Sequence, residues 1–288
     1  MNVLESPTVV RFAPSPSGQL HVGNVRIAIL NWLLAKKMGG LFILRFDDTD
    51  TERIHERYVV MAEEDLNWLG LVWDKEIRQS ERLDRYRMAA ERLKTAERLY
   101  PCYETPEELM LKRKVLLSQG KPPIYDRSAL RLDTDARQKL EAEGRSPHWR
   151  FLLEPGEIRW MDSVRGEVVF EAENLTDPVL IRADGTPLFI LPAVVDDIEL
   201  KVTDVLRGED HVTNTAVQMQ IFEALEASPP RFAHLPLLTD IHGKGLSKRN
   251  KSLAIAELRD AGVESMAVSY THLRAHEPEA DLVCRLLL

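Results

Sequence analysis

Three segments of the chain concentrate residue types that can do chemistry. The first is Arg11-Phe-Ala13-Pro14-Ser15-Pro-Ser-Gly18-Gln-Leu-His21-Val-Gly23-Asn24. Gly18 and Gly23 let the backbone come close to a ligand. A helix starting here presents unpaired N–H groups and a positive dipole end, which suits phosphate. His21 stands where its ring can donate to a phosphate oxygen, although a solitary loop histidine serves equally well as a local structural residue. The second segment is Asp47-Asp48-Thr49-Asp50, directly after an apolar run. Ligands of open α/β sheets bind at the carboxyl ends of strands, and Asp47 falls at such an end. Thr49 and Asp50 read more simply as a turn. The third is the basic, glycine-flanked stretch Gly243-Lys244-Gly245-Leu246-Ser247-Lys248-Arg249. By composition alone it is a solvated surface loop.

The elements that must position these segments follow from local pattern. Thr8–Ala13 is a short β-branched and aromatic run, predicted as a strand, and Pro14, Pro16 and Gly18 force a loop after it. A helix is expected from Gly23 to Lys37, with Ile27, Leu30, Leu33 and Leu34 on one face and Gly39-Gly40 closing it. Leu41–Phe46 is a second strand. Strand, glycine-containing loop, helix and strand make the βαβ unit of a parallel nucleotide-binding sheet. Further helices are predicted at 57–71 and at 80–99, the latter with Ser80 as N-cap. Thr105-Pro106-Glu107-Glu108 is a capping box that opens a helix running to Gly120. Another helix is expected over Asp133–Glu143, antiparallel strands over 148–170, a strand over Val202–Arg207, and helices over Asn214–Ala227 and 251–262. The expected organisation is an α/β sheet domain over 1–103 and 188–250. An α+β block, 104–187, is inserted into it, and 251–288 follows.

Taken in order, these motifs resemble the glutamyl branch of the class I aminoacyl-tRNA synthetases. The first segment is similar to that class's HIGH motif, and Gly245-Leu-Ser-Lys248-Arg249 to its KMSKS loop. Asn31-Trp-Leu-Leu-Ala, Gly39–Asp50, Asp65-Leu-Asn-Trp-Leu-Gly70, Tyr100–Tyr103, Val194-Val-Asp-Asp197 and Arg207-Gly-Glu-Asp-His211 extend the likeness over about 8–268. The resemblance implies a Rossmann-like catalytic domain, an inserted acceptor-stem-binding domain, and glutamate, ATP with Mg²⁺, and tRNA(Glu) as ligands. It implies that Arg11, Ala13, Ser15, Asp47, Phe189, Ala193 and Arg207 hold glutamate. Of these, the two arginines grip carboxylates and Asp47 meets the amino group. Pro14, Gly18, His21, Gly23, Asn24, Asp210, His211, Leu246, Lys248 and Arg249 are the implied ATP contacts. His21, Gly23, Ser247 and Lys248 carry the catalytic roles, Lys248 by stabilising charge on the phosphates. The Lys112–Lys114 helix and Arg127 are expected to hold the tRNA acceptor end. This chain departs from the family at Gly245, at Phe189 (often tyrosine, in the strand before the Val-Val-Asp-Asp run) and at Ala193 (often polar). Aspartate at position 47 is one methylene shorter than the common glutamate.

Composition sets the remaining bounds. The 288 residues carry 38 Lys+Arg against 46 Asp+Glu, a formal charge of −8, with 44% hydrophobic residues. That balance excludes general disorder and a protein that coats nucleic acid by bulk charge. The absence of an 18-residue uncharged apolar run and of a signal-like N-terminus points to a cytoplasmic, reduced protein without a membrane partner, and the family resemblance implies a monomer. Some relatives hold a zinc in the insertion. With Cys102 the one cysteine there, no zinc or other metal site is expected, and Cys102 reads as a small buried hydrophobe. Residues 269–288 match nothing expected after the lysine loop and read as a foreign or frameshifted end on a truncated gene. Two alternatives to a glutamate–tRNA ligase remain. One is a glutamyl-queuosine tRNA(Asp) synthetase; the other is a fragment that binds ligands without aminoacylating.

Overall fold

The computed structural model describes residues 7–50, 52–238 and 254–274; for 270–274 it describes the backbone alone. The central sheet has seven strands: β1 (Val9–Phe12), β2 (Leu41–Phe46), β3 (Lys75–Arg78), β6 (Glu157–Asp162), β7 (Gly166–Glu171), β9 (Asp204–Gly208) and β10 (Arg231–Leu235), in the order β3-β2-β1-β9-β10-β6-β7. All neighbours are parallel except the β6–β7 hairpin. A second sheet, antiparallel, joins β4 (Leu99–Cys102), β5 (His148–Phe151) and β8 (Val179–Ile181). The β6–β7 hairpin lies within the block expected as the insertion, yet it extends the edge of the central sheet.

Strand alternation decides which residues face which layer. Val10, Phe12, Phe42, Leu44, Phe46 and Leu206 pack into one core with helices α1 (Val22–Met38) and α2 (Glu56–Trp68). Val9, Ile43, Val205 and Phe232 pack into the other, with α3 (Leu83–Thr95), α6 (Ile190–Glu199) and α7 (Val212–Ala224). By the same alternation Arg11, Arg45, Arg207 and His234 all fall on the second face. The chain leaves β1 through α1 toward β2, and leaves β9 through α7 toward β10. The β1/β9 junction is therefore the topological switch point, where open α/β sheets bind ligands.

Helix α1 is buried more widely than its expected stripe: Val22, Val25, Ala28 and Ile29 are buried with Leu30, Leu34 and Ala35, whereas Ile27 and Leu33 are only partly covered. The wider burial arises because Val268 of α9 (Ser265–Arg274) joins the same core. Gly39 closes α1 in the left-handed region, φ 59°. A Cβ at Gly40 would lie 2.1 Å from the Thr8 carbonyl oxygen, so glycine is required there. The helix expected from Ser80 starts at Leu83, after a 3-10 turn. Ser80 N and Oγ instead donate to Asp48 Oδ1 and Oδ2, both at 2.7 Å. Its C-terminus comes at Thr95 and β4 follows. The capping box at Thr105 forms as predicted and opens α4 (Pro106–Ser118), and Asp133 caps α5 (Thr134–Ala142). Phe189 precedes a helix rather than sitting in a strand: it is the N-cap of α6, which contains Ala193. Pro192 is tolerated there because it falls in the first helical turn. No helix among the described residues is long and apolar enough to cross a membrane.

Candidate active site

The loop after β1 delivers His21 to the α1 N-terminus. The Gly23 N–H donates to His21 Nδ1 at 3.1 Å, and the His21 N–H donates to Asn24 Oδ1 at 3.3 Å. This is a capping box in which a histidine replaces the usual Ser or Thr. With Nδ1 accepting, the neutral ring carries its proton on Nε2. Gly23 is needed because a Cβ there would stand 2.9 Å from His21 Cε1 and 3.0 Å from Nδ1. Asn24 thus has a capping role in addition to any ligand contact. Gly18 faces open space within 4 Å of its Cβ direction, and Ser15 is exposed. Ala13 is half-buried and Pro14 is buried, its carbonyl accepting from the Asp47 N–H at 3.0 Å. Main-chain Leu20 and His21 are bridged by the segment leading into α8 (Ile255–Asp260): Ile255 N–H donates to the Leu20 carbonyl at 3.0 Å.

Across the sheet, buried charges form a continuous network. Arg11 Nε donates to Asp197 Oδ1 at 3.2 Å, and Arg45 Nη1 donates to the same oxygen at 2.9 Å. Arg45 Nε and Nη2 grip Asp47 at 2.8 and 3.3 Å. Burial pushes the Asp47 carboxyl up to about 6, against the pull of Arg45. The expected Asp47 contact to a ligand ammonium must therefore use lone pairs left over from Arg45, because both oxygens already accept. Next to it, Asp196, fully buried, accepts from Gln79, Arg82 and Tyr86. Among the described residues, the Arg11 terminal nitrogens have no protein acceptor. A planar donor edge of this kind suits a carboxylate.

Arg207 donates through Nε to His234 Nε2 at 3.2 Å, and through Nη2 to Thr215 Oγ1 and Gln218 Oε1 at 2.5 and 2.7 Å. Burial first, and the Arg11 charge second, draw its guanidinium down to about 9. Asp210 is exposed in the turn after β9. Burial and the Arg207 cation draw the neighbouring His211 down to about 4, so it is a neutral ring, 5.5 Å from the Phe189 ring. Ala193 is buried (1% exposed) beneath this face. Leu246, Ser247, Lys248 and Arg249 lie outside the described residues.

Reasoning from sequence assigned no role to Arg45, Asp162, Asp197, Thr215 or His234. The signal was present in part: arginines at inward-facing strand positions require buried carboxylates, and Asp196-Asp197 follows an apolar run. In the insertion, Lys112 bonds Glu104, Asp126 and Ser128, and Arg127 grips Asp177 with both oxygens at 2.9 Å. Both are expected at a tRNA surface; each side chain is partly exposed, at 40% and 39%, and each already holds an ion pair within the chain. Arg113 and Lys114 are exposed.

Cys102 is buried and free, as expected of a small hydrophobe. The sequence reading missed that His148, 46 residues further on, meets it. The Cys102 thiol, the His148 ring and the Glu104 carboxylate place one ligand atom each within 4.8 Å of one another. His148 Nε2 and Glu104 Oε2 are buried with no hydrogen-bond partner among the described residues. Burial holds His148 down at about 4 and pushes the Cys102 thiol up to about 12. The set supplies three donors where a structural zinc takes four.

A parallel sheet whose switch point carries a histidine-capped helix N-terminus beside buried arginines is the catalytic architecture of a class I aminoacyl-tRNA synthetase. The Mycobacterium tuberculosis methionyl-tRNA synthetase shares that fold, with a TM-score of 0.56 at 13% identity. Over residues 7–283 the chain matches the tRNA synthetases class I (E and Q), catalytic domain, and it belongs to that family. The match runs into the 269–288 segment that its sequence had set apart. The glutamate–tRNA ligase of Azospirillum brasilense is 59% identical over 261 residues, 90% of this chain and 58% of that protein. The glutamate–tRNA ligase 2 of Beijerinckia indica is 58% identical, covering 92% and 59%. The solved glutamate tRNA ligase of Elizabethkingia meningosepticum, in complex with its amino acid, has a TM-score of 0.80 at 35% identity over 86% of this chain and 53% of that one. This chain thus spans about three fifths of the length of these curated relatives.

Proposed function

We propose that this chain is the catalytic part of a glutamate–tRNA ligase. In the first step the α-carboxylate oxygen of glutamate attacks the α-phosphorus of ATP. Glutamyl-adenylate forms and the bond to pyrophosphate breaks. In the second step a terminal ribose hydroxyl of tRNA(Glu) attacks the activated carbonyl, its proton is lost, and AMP leaves.

The observation that carries the reading is the pair Arg11 and Arg207, on adjacent strands at the switch point, both buried and both facing α6 and α7. Two guanidinium groups suit a substrate with two carboxylates. Asp47 balances the ammonium, and Ala13, Ser15, Phe189 and Ala193 line the same subsite. The ATP phosphates lie at the α1 N-terminus, where His21 Nε2–H donates and Gly23 keeps the ring in place. Pro14, Gly18, Asn24, Asp210, His211, Leu246, Ser247, Lys248 and Arg249 complete that subsite. Mg²⁺ comes with the nucleotide, held by its phosphates, and supplies charge neutralisation. The β4–β5–β8 sheet and its helices hold the acceptor end.

The test is aminoacylation of tRNA(Glu), tRNA(Gln) and tRNA(Asp) with radiolabelled glutamate and ATP. Charging of tRNA(Glu) is expected. Label on tRNA(Asp) alone overturns the reading in favour of a queuosine-directed enzyme. The second reading is a fragment that binds ligands without aminoacylating. Bound nucleotide with no label on any tRNA selects it.

A further inference from the structure

Behind Arg207 lies a buried chain of three groups whose proton positions are fixed by their partners. Asp162 closes β6, His234 lies in β10 and Arg207 in β9; Arg207 and His234 are register partners. All three are buried, at 2%, 0% and 7% exposure. Asp162 Oδ1 accepts from the backbone N–H groups of Val164, Arg165 and His234 at 3.0–3.1 Å. Its Oδ2 meets His234 Nδ1 at 2.5 Å. Burial works to raise this carboxyl, but these hydrogen bonds outweigh it and hold it at about 2. An ionised carboxylate only accepts, so Nδ1 bears the proton. A guanidinium only donates, so His234 Nε2, facing Arg207 Nε at 3.2 Å and the Thr215 hydroxyl at 2.8 Å, presents its lone pair to them. Both ends demand the same tautomer.

With Nε tied to His234 and Nη2 tied to Thr215 and Gln218, the plane of the Arg207 guanidinium is fixed. Nη1 is then the one nitrogen without an acceptor among the described residues.

We propose that Asp162 and His234 act as a positioning pair: Asp162 locks the Nδ1–H tautomer of His234, and His234 thereby aims Arg207 at a carboxylate of the amino-acid substrate. The role rests on the reading that Arg207 binds that carboxylate. The logic is that of a carboxylate–imidazole pair, transferred from a nucleophile to an arginine: replacing such an aspartate by asparagine leaves the geometry and inverts the tautomer. In Asp162→Asn, Oδ1 keeps the three backbone bonds while the new amide donor faces His234 Nδ1. The ring proton moves to Nε2, where it turns to the Thr215 hydroxyl and opposes the Arg207 N–H. His234→Gln puts a carbonyl near the Nε2 position and keeps the acceptor for Arg207. His234→Asn reaches only as far as Nδ1 and loses it.

Glutamate binding by calorimetry and ¹⁵N NMR of histidine-labelled chain test the pair. The wild type is expected to show one buried histidine with an Nδ1–H tautomer, identified by its loss in His234→Gln. In Asp162→Asn that ring is expected as Nε2–H. Glutamate affinity is expected to fall about 10- to 100-fold in Asp162→Asn and in His234→Asn, the range of a lost charge-assisted hydrogen bond, and to stay within about threefold in His234→Gln. An Asp162→Asn variant that keeps the Nδ1–H tautomer overturns the lock. Equal glutamate affinity in wild type and His234→Asn overturns the positioning role alone. A wild type with the expected tautomer that binds no glutamate overturns the carboxylate reading of Arg207 and the pair's role with it.

Discussion

Arg45 Nη1 and Asp197 Oδ1 meet at 2.9 Å in the core although 152 positions separate them in the chain. The same oxygen accepts from Arg11, so one carboxylate orients two buried guanidinium groups on adjacent strands. Replacing Asp197 with asparagine preserves volume and removes the shared charge. The expected cost is about 3–5 kcal/mol by urea unfolding, as for other buried pairs stripped of one partner. In an Arg45→Met background the same replacement is expected to cost less, and a double-mutant cycle measures the coupling. Additive losses would show that the two side chains do not depend on one another.

Gly23→Ala isolates the role of the His21 ring. In an ordinary helical position this change stabilises by up to about 1 kcal/mol. Here the new methyl lies 2.9 Å from His21 Cε1 and must displace the ring. The expected result is a lower melting temperature, together with ATP–pyrophosphate exchange, measured with tRNA(Glu) present, reduced at least about tenfold. Unchanged exchange would remove His21 from the phosphate site.

Acid titration should report Asp162. Its folded value, about 2, lies below the ordinary carboxylate value of 3.8. A depressed carboxyl contributes stability that is present above the unfolded value and lost as pH falls through the folded one. The stability gap between wild type and Asp162→Asn is expected to be about 2 kcal/mol at pH 6, and to narrow between about pH 4 and pH 2. A gap independent of pH would mean that the carboxylate is not held in its charged form.

Metal removal tests the Cys102, Glu104 and His148 cluster. Three donors where a structural zinc takes four predict purified chain with substoichiometric zinc, and a melting temperature unmoved by EDTA. Stoichiometric zinc and a fall of several degrees on chelation would show that a fourth donor completes the site.

The parts of this fold legible in sequence are those with local causes. The β1–α1–β2 unit, the Gly39 cap and the Thr105 capping box follow from residues within one or two turns of each other, and each formed as expected. Strand β3 (Lys-Glu-Ile-Arg) is a charged edge, β4 contains Pro101, and β10 carries Arg231 and His234. None shows the alternation that marks a half-buried strand: β3 and β10 pair with parallel neighbours, where ion pairs and helices decide burial, and β4 is an edge of the small antiparallel sheet. The site divides the same way. His21 and Gly23 could be paired from a spacing of two residues. Arg11 and Arg207 emerged through resemblance. His234 and Asp162, 72 residues apart, are joined only by the parallel pairing of β10 with β6. Lys112 and Arg127 are surface cations, and what their sequence does not reveal is that each is also paired, with Glu104 and with Asp177.

The strand order has a kinetic consequence during synthesis. β1 pairs on one side with β2, available by residue 46, and on the other with β9, which begins at residue 204. At roughly 5–20 residues per second, the inner edge of β1 waits on the order of ten to forty seconds for its partner after leaving the ribosome. During that interval a sequence rich in Val and Phe presents an unpaired ladder, the kind of edge that recruits a wrong chain.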